Sequence, residues 1–385
     1  MNKIAIIGAN EFQTDLILKA NTLGYETHVF SWGGGEPGED IANYFYKISI
    51  TEKEKILEKC REIKISAICS IASDLANITV HWVARELGLK ALSKSCIEYT
   101  TDKFLMRKQL LKNSLPIPRF NLVKNINDIV EDECNFPLIV KPIDRSGSRG
   151  ITKVNSFKEI EKAITYSQSV SFTDNVLIEE YISGREFSVE TISSLGKHKI
   201  LQVTEKFTSG YPNYIETAHL APARITNNEY KLIENVIIKA LNSLDVEFGP
   251  SHSEIKLKED GNISIIEIGS RMGGDFIGAF LVESHTGIDY LSLTLLSSLG
   301  KNIDLNSIKV KENNNISSLV YYQFDESFKK INTRPGVQSL SYTLNKHYNG
   351  SVLSSNERFS CSKLLVRNDN LNDIITIIKE QNKSI

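Results

Sequence analysis

Over the first 95 residues, short apolar runs alternate with stretches whose apolar residues recur every three or four positions. "KIAIIGAN" is an unbroken apolar run closed by glycine, the pattern of a strand buried on both faces. "EFQTDLILKANTLG" has helical spacing, and "YETHVFSW" is strand-like. The order repeats through strand "YFYKISI", helix "EKEKILEKCREI", strand "ISAICSIA" and helix "DLANITVHWVAREL". Such alternation predicts a doubly wound parallel sheet. Its first turn holds Gly8 but lacks GxGxxG, so a dinucleotide fingerprint is missing. The glycine-rich "SWGGGEPGED" predicts a loop after the second strand and receives no role.

Further on, "TTDKFLMRKQLLKNSLPIP" predicts a helix closed by Pro116 and Pro118. A small α+β unit follows: strand "FPLIVKPI", loop "DRSGSRG", strand "ITKV", helix "SFKEIEKAITYSQ" and strand "NVLIEEYI". "REFSVETISS" and "KHKILQVTEKF" predict an antiparallel pair around Leu195–Gly196. A helix near 228–243, a second pair "SEIKLKED" and "ISIIEI" around Gly261, and helices after 275 complete another α+β region. From about 301 the chain turns polar, with "NNN" at 313–315, before further strand-like segments. The pattern thus divides into an α/β part at 1–98, a mixed part at 99–300 and an α+β part at 301–385.

Composition narrows the class. At 385 residues the chain can build two or three domains. Forty-five basic residues against 47 acidic ones leave a net charge of −2, which favours no nucleic-acid partner. Cys60, Cys69, Cys96, Cys134 and Cys361 are odd in number and form no CxxC pair, so they predict reduced thiols in a cytoplasmic protein. The N-terminal apolar run is too short for a signal peptide, and no run approaches the roughly 20 residues that span a bilayer.

Several charged residues interrupt otherwise apolar strands. Lys141 follows Leu138, Ile139 and Val140, and precedes Ser146, Gly147, Ser148 and Gly150. Small residues let backbone N–H groups approach an anion, and the lysine adds a point charge, so phosphate is the expected ligand. A surface hairpin with an edge lysine is the alternative. Glu179, Glu180, Tyr181 and Ile182 end an apolar strand, with Glu186 just beyond. That segment offers backbone groups to a purine and a carboxylate to ribose, or is simply a strand, a turn and solvated glutamates. Glu254 and Glu267 would face each other if their strands pair around Gly261. Two such carboxylates repel unless a cation lies between them, and hard oxygen donors suit Mg²⁺. Exposed glutamates on one hairpin face are the alternative.

Taken in order, Lys103 in "TTDKFLMR", Lys141 before the Ser/Gly loop, "EEYISGREFSVE", Glu254 and "EIGSR" resemble the ATP-grasp superfamily over residues 1 to about 300. The resemblance implies an ATP-grasp fold: an N-terminal doubly wound domain, an ATP-grasp domain at 99–300 with a lid at about 117–182, and a C-terminal α+β subdomain. It implies ATP held by Lys103, Lys141, the loop Ser146, Gly147, Ser148 and Gly150, the hinge Glu179 to Ile182, and Glu186. It further implies Mg²⁺, or Mn²⁺ in its place, on Glu254 and Glu267, and Arg271 facing an acyl phosphate. Many members carry Asn where this chain has Gly269, two residues after the second glutamate.

The "EIGSRMGGD" form resembles carboxylate–amine ligases that join L-amino acids into dipeptides. In that subset Glu216, His219, His252, Gly274 and Asp275 are expected to line the substrate site. Asp275 would capture an ammonium group, or cap the following helix. Glu216 and His219 are otherwise solvated loop residues. His28, His81, His198, His285, His347, Trp32 and Trp82 are assigned to structure. The expected partners are small carboxylates and amines, and by analogy a second copy in a homodimer. Bicarbonate activation and nucleotide binding without turnover are the competing functions.

Overall fold

The structure, a computed structural model, describes residues 2–211, 214–311, 315–325, 331–345, 348, 350 and 357–383. Among these residues the chain builds three sheets. The first holds β1 (Lys3–Ile7), β2 (Glu26–Ser31), β3 (Tyr44–Lys47) and β4 (Ala67–Cys69), all parallel in the order β3-β2-β1-β4. α1 (Glu11–Thr22) joins β1 to β2 and α2 (Lys53–Ile63) joins β3 to β4, while α3 (Asp74–Glu86) follows β4. Ile4 and Ile6 pack into one core and Ala5 and Ile7 into another, as a two-faced buried strand requires.

The single helix expected around residue 103 is two. α4 (Lys94–Thr101) ends where Asp102 turns extended, and Asp102 then caps α5 (Lys103–Lys112) by accepting from the Leu105 N–H at 2.9 Å. The Lys103 N–H donates to the Ile143 carbonyl at 3.0 Å, so the start of α5 is tied to the next sheet.

That sheet comprises β5 (Phe120–Val123), β6 (Leu138–Pro142), β7 (Thr152–Val154) and β8 (Val176–Glu180), in the order β5-β8-β6-β7. α6 (Phe157–Val170) covers it with Ile160, Ala163 and Ile164. The chain leaves through Gly184, where a Cβ would lie 2.3 Å from the Leu257 carbonyl oxygen, so no other residue fits.

The third sheet has eight strands in the order β13-β12-β9-β10-β11-β14-β16-β15. They are β9 (Arg185–Ser194), β10 (Lys197–Thr208), β11 (Glu216–Ala221), β12 (Gly249–Leu257), β13 (Ile263–Gly269), β14 (Ile316–Gln323), β15 (Val337–Leu344) and β16 (Ser360–Arg367). Both expected hairpins are present: β9 pairs antiparallel with β10, and β12 with β13. α7 (Asn227–Ser243) buries Ile233, Val236 and Ile237 in the largest core cluster.

After residue 275 the expected helix differs. Asp275 and Phe276 adopt left-handed backbone (φ +52° and +57°), then Ile277–Val282 form a π-helix before α8 (Glu283–Thr286) and α9 (Tyr290–Ser298). α10 (Asn368–Asn382) closes the fold. All five thiols are free, and no helix of the described residues is long and apolar enough to cross a membrane.

Candidate active site

A cavity of about 430 Å³ is walled by residues from all three sheets, a size that suits a small-molecule ligand. Strands bring Lys141, Glu254 and Glu267 to this wall, the start of α5 brings Lys103, and the turn after β13 brings Arg271 and Asp275.

At one end, Lys141 on β6 and Glu179 on β8 pair at 2.5 Å. Glu179 also accepts from Arg107 Nε of α5 at 2.5 Å, and all three side chains are buried. Burial pushes the Lys141 pKa down, against the pull of Glu179, while burial of Glu179 is outweighed by its two cations, which hold it ionised. Lys103 donates to Glu267 Oε1 at 2.9 Å and to the Arg145 carbonyl at 2.7 Å. Burial opposes its charge, but Glu267 keeps its pKa above the usual lysine value. Ser146, Gly147 and Ser148 sit over the cavity, with Ser148 Oγ donating to the Tyr214 carbonyl at 3.1 Å. Gly150 instead backs onto Val170 and Pro142.

The register places Glu254 on β12 directly opposite Glu267 on β13. Beyond this pair the register slips, because Ile266 is an extra residue on β13. Its carbonyl accepts from Arg107 Nη2 at 2.6 Å, so the bulge is fastened to α5. Each carboxylate meets a cation: Glu267 meets Lys103, and Glu254 Oε1 lies 3.3 Å from Lys206 Nζ and 3.5 Å from His252 Nε2. Burial of Glu254 is outweighed by Lys206 and His252, which hold its carboxyl well below the usual range. Glu190, fully buried, pairs with His252 Nδ1 and accepts from the Gly273 N–H at 3.1 Å. Despite burial, Glu190 raises the His252 pKa to about 9.

No group of three or more His, Cys, Asp or Glu side chains suited to a metal occurs among the described residues. Glu254 and Glu267, facing each other, are hard oxygen donors of the kind a divalent ion takes, two ligands that a bound substrate would have to supplement.

The far end carries a second set of buried charges. Arg271 donates to both oxygens of Asp74, at 2.8 and 3.2 Å. Asp275 receives Arg358 at 2.6 and 3.1 Å, and its Oδ2 lies 3.3 Å from His219 Nε2. Burial of Asp275 is overridden by Arg358 and His219, which keep the carboxyl ionised far below its normal pKa. The Asp275 side chain is committed to these partners, and the helix start that follows has no side-chain cap. Lys206 also reaches Glu216, at 3.2 Å.

Apart from Gly150, every site residue expected from the sequence lines this one cavity. Glu186 pairs with Lys256 at 3.7 Å along the same wall. Sequence reasoning missed Asp74, Arg107, Glu190, Lys206 and Arg358. Lys206 stands in "QVTEKF", where only Val203 and Phe207 are apolar, so it carries little signal. Asp74 reads only as a helix start, and Arg358 lies in a stretch with no motif. Trp32, assigned to structure, is 52% exposed and lines the cavity with Glu36. His28, His81 and His285 are buried, and His198 bonds Ser193 and Asn242. His347, Asn313 and Asn314 lie outside the described residues.

Residues 134–279 match the model of the ATP-grasp domain. Among curated proteins, a D-alanine–D-alanine ligase of Bacillus cytotoxicus is 29% identical over 176 residues, covering 43% of this chain and 46% of the relative. The carbamoyl phosphate synthase large chain of Caldanaerobacter subterraneus subsp. tengcongensis is 24% identical over 263 residues, covering 68% of this chain and 24% of the relative. The chain thus spans about half or less of the length of these relatives. Among solved structures, an L-amino acid ligase from Bacillus licheniformis superposes with a TM-score of 0.82 at 21% identity, covering 99% and 98% of the two chains. The ADP complex of a Staphylococcus aureus N5-carboxyaminoimidazole synthetase gives 0.77 at 15% identity, covering 99% and 97%. The ATP-grasp domain match over residues 134–279 and the shared fold agree with the order of charged residues around the cavity.

Proposed function

We propose that the protein is an ADP-forming ligase that activates a carboxylate with ATP and joins it to an amine, with amino acids as the substrates. The carrying observation is the order of charge along one cavity: Lys103 and Lys141, then Glu254 opposite Glu267, then Arg271. Phosphoryl transfer asks little covalent chemistry of a protein and much positioning and charge neutralisation.

In this reading Lys103 and Lys141 hold the nucleotide phosphates, and the loop Ser146 to Gly150 covers them. Tyr181 and Ile182 meet adenine, and Glu186 meets ribose. The substrate carboxylate attacks the γ-phosphorus, forming an acyl phosphate and ADP. Arg271 stabilises charge on the acyl phosphate and on the tetrahedral species formed when the amine attacks; phosphate then leaves. A divalent ion on Glu254 and Glu267 would supply charge neutralisation at the phosphates. The sheet β5–β8, as a lid, would keep water from the acyl phosphate. Support for amino acids comes from the L-amino acid ligase that shares this fold and from Glu216, His219 and Asp275, a polar cluster in the cavity wall suited to a charged substrate.

The test is to incubate the full chain with Mg-ATP and pools of L-amino acids, following phosphate release and product mass together. Amino-acid-dependent release with a condensed mass is the expected result. Release with bicarbonate alone would replace the substrate class and keep the fold's chemistry. Nucleotide binding with no release from any pool would overturn the ligase reading.

A further inference from the structure

The carrying feature is a glycine that the superfamily resemblance leaves unexplained. Gly269 ends β13 two residues after Glu267, where many ATP-grasp chains carry asparagine. Its backbone is not in the left-handed region, so conformation does not demand glycine. Space is tight: a Cβ at 269 would lie 3.3 Å from Asp74 Oδ1, closer than most such contacts, and 3.4 Å from Arg271 Cζ. Even a methyl group there would press on the ion pair these two residues form.

That pair has the geometry of an aiming device. Asp74 is the first residue of α3, behind the N-cap Ser73, where the helix dipole favours a carboxylate. It grips Arg271 through Nε at 2.8 Å and Nη2 at 3.2 Å, a two-point hold that fixes the guanidinium plane. The surrounding turn is fixed from the same side. The Ala72 N–H donates to the Met272 carbonyl at 3.1 Å, Asn77 Nδ2 donates to Ser270 Oγ at 3.1 Å, and Thr100 Oγ1 lies 2.7 Å from Ser270 Oγ. The N-terminal parallel-sheet domain thus sets the position of a cation at the end of the eight-stranded sheet.

We infer that Asp74 is a positioning residue for Arg271, aiming its guanidinium at an oxyanion in the cavity, and that Gly269 is the vacancy this arrangement requires. The inference rests on the ligase reading for the identity of the anion in turnover, but not for the existence of the anion site. Here the side-chain space of the usual asparagine is given to a carboxylate–guanidinium clamp.

The test is a double-mutant cycle on binding of inorganic phosphate to the full chain saturated with Mg-ADP, read by calorimetry. Asp74→Asn keeps the shape but leaves one acceptor oxygen, which breaks the two-point grip. Arg271→Ala is expected to weaken phosphate about tenfold or more, the loss of a charged hydrogen bond. Asp74→Asn should lose nearly as much, the double variant no more than Arg271→Ala alone, and ADP affinity should stay as in wild type. Wild-type phosphate affinity in Asp74→Asn, multiplicative losses in the double variant, or no phosphate binding by wild type would each overturn the inference. Should Asp74→Asn fail to fold, Gly269→Ala serves, since its Cβ presses on the same pair. Weaker phosphate with unchanged ADP affinity is expected there, and unchanged phosphate affinity overturns the inference. A wild-type chain that binds phosphate but releases none from ATP with any acid and amine would sink the ligase reading and leave the cycle intact.

Discussion

Glu179→Gln tests whether the buried triad of Arg107, Lys141 and Glu179 is structural, functional or both. Glu179 lies between Lys141 at 2.5 Å and Arg107 at 2.5 Å, and is 3% exposed. At about 4 Å and an effective dielectric near 20, one such charge pair is worth about 4 kcal/mol. Mutual repulsion of the two cations and the original desolvation reduce the net effect. Removing one partner of a buried pair generally costs about 3–5 kcal/mol, because the remaining charge stays unpaired. The adjacent Glu180 pairs with Arg119 at 3.3 Å, with side chains 38% and 71% exposed, so Glu180→Gln should cost less than about 1 kcal/mol. In urea unfolding, Glu179→Gln should lower the midpoint by about 1 M or more while Glu180→Gln barely moves it. A second readout follows from Lys141, whose pKa burial already depresses and Glu179 supports. Without Glu179 the lysine loses its proton more readily, so ATP affinity should fall at neutral pH and recover as pH is lowered. Equal midpoints for the two variants, or ATP affinity in Glu179→Gln that improves as pH rises, would refute the reasoning.

Three further outcomes are expected. Lys206→Met leaves Glu216 and Glu254 without their shared cation and should cut phosphate release at saturating substrates about 10²-fold or more. Arg358→Gln removes the two-point hold on Asp275 and should raise KM for an amino-acid substrate while leaving KM for ATP unchanged, measured by two-substrate kinetics. His81 accepts from the Leu92 N–H at 3.1 Å, and burial lowers its pKa to about 3. A depressed histidine stabilises the fold above its unfolded value of about 6.5 and loses that contribution as pH falls toward 3, at up to about 1.4 kcal/mol per pH unit. His81→Gln should flatten that part of the urea-midpoint profile, and an unchanged slope would show that His81 is not held neutral.

The parallel sheet was legible because a strand covered by helices on both faces reads as a continuous apolar run, as Ile4 to Ile7 do. The hairpin around Gly261 was legible, but its turn register alone would set Glu254 opposite Ile266; the bulge at Ile266, which no local pattern announces, is what brings Glu267 there. What escaped was long-range. Asp74 and Arg271 are 197 residues apart, and Asp275 and Arg358 are 83 apart. No local periodicity reports which distant charge will answer a buried one. Asp102 escaped for the opposite reason: its capping bond is local, but a helical apolar pattern runs straight through it. The left-handed pair Asp275–Phe276 likewise sits inside a helix-like apolar pattern that overrules nothing locally yet gives way to tertiary packing.

The eight-stranded sheet crosses without a break from β11 to β14, through Ala218 opposite Tyr321 and Leu220 opposite Leu319. A chain stopped at residue 300 would bare β11 as an edge of unpaired backbone beside apolar side chains, a template for aggregation. It would also lose Arg358. The last strands of the sheet are therefore an exchangeable cartridge: under the proposed ligase reading, a graft that kept β14 and altered Arg358, which holds Asp275, would shift substrate preference without touching the two lysines or the paired glutamates.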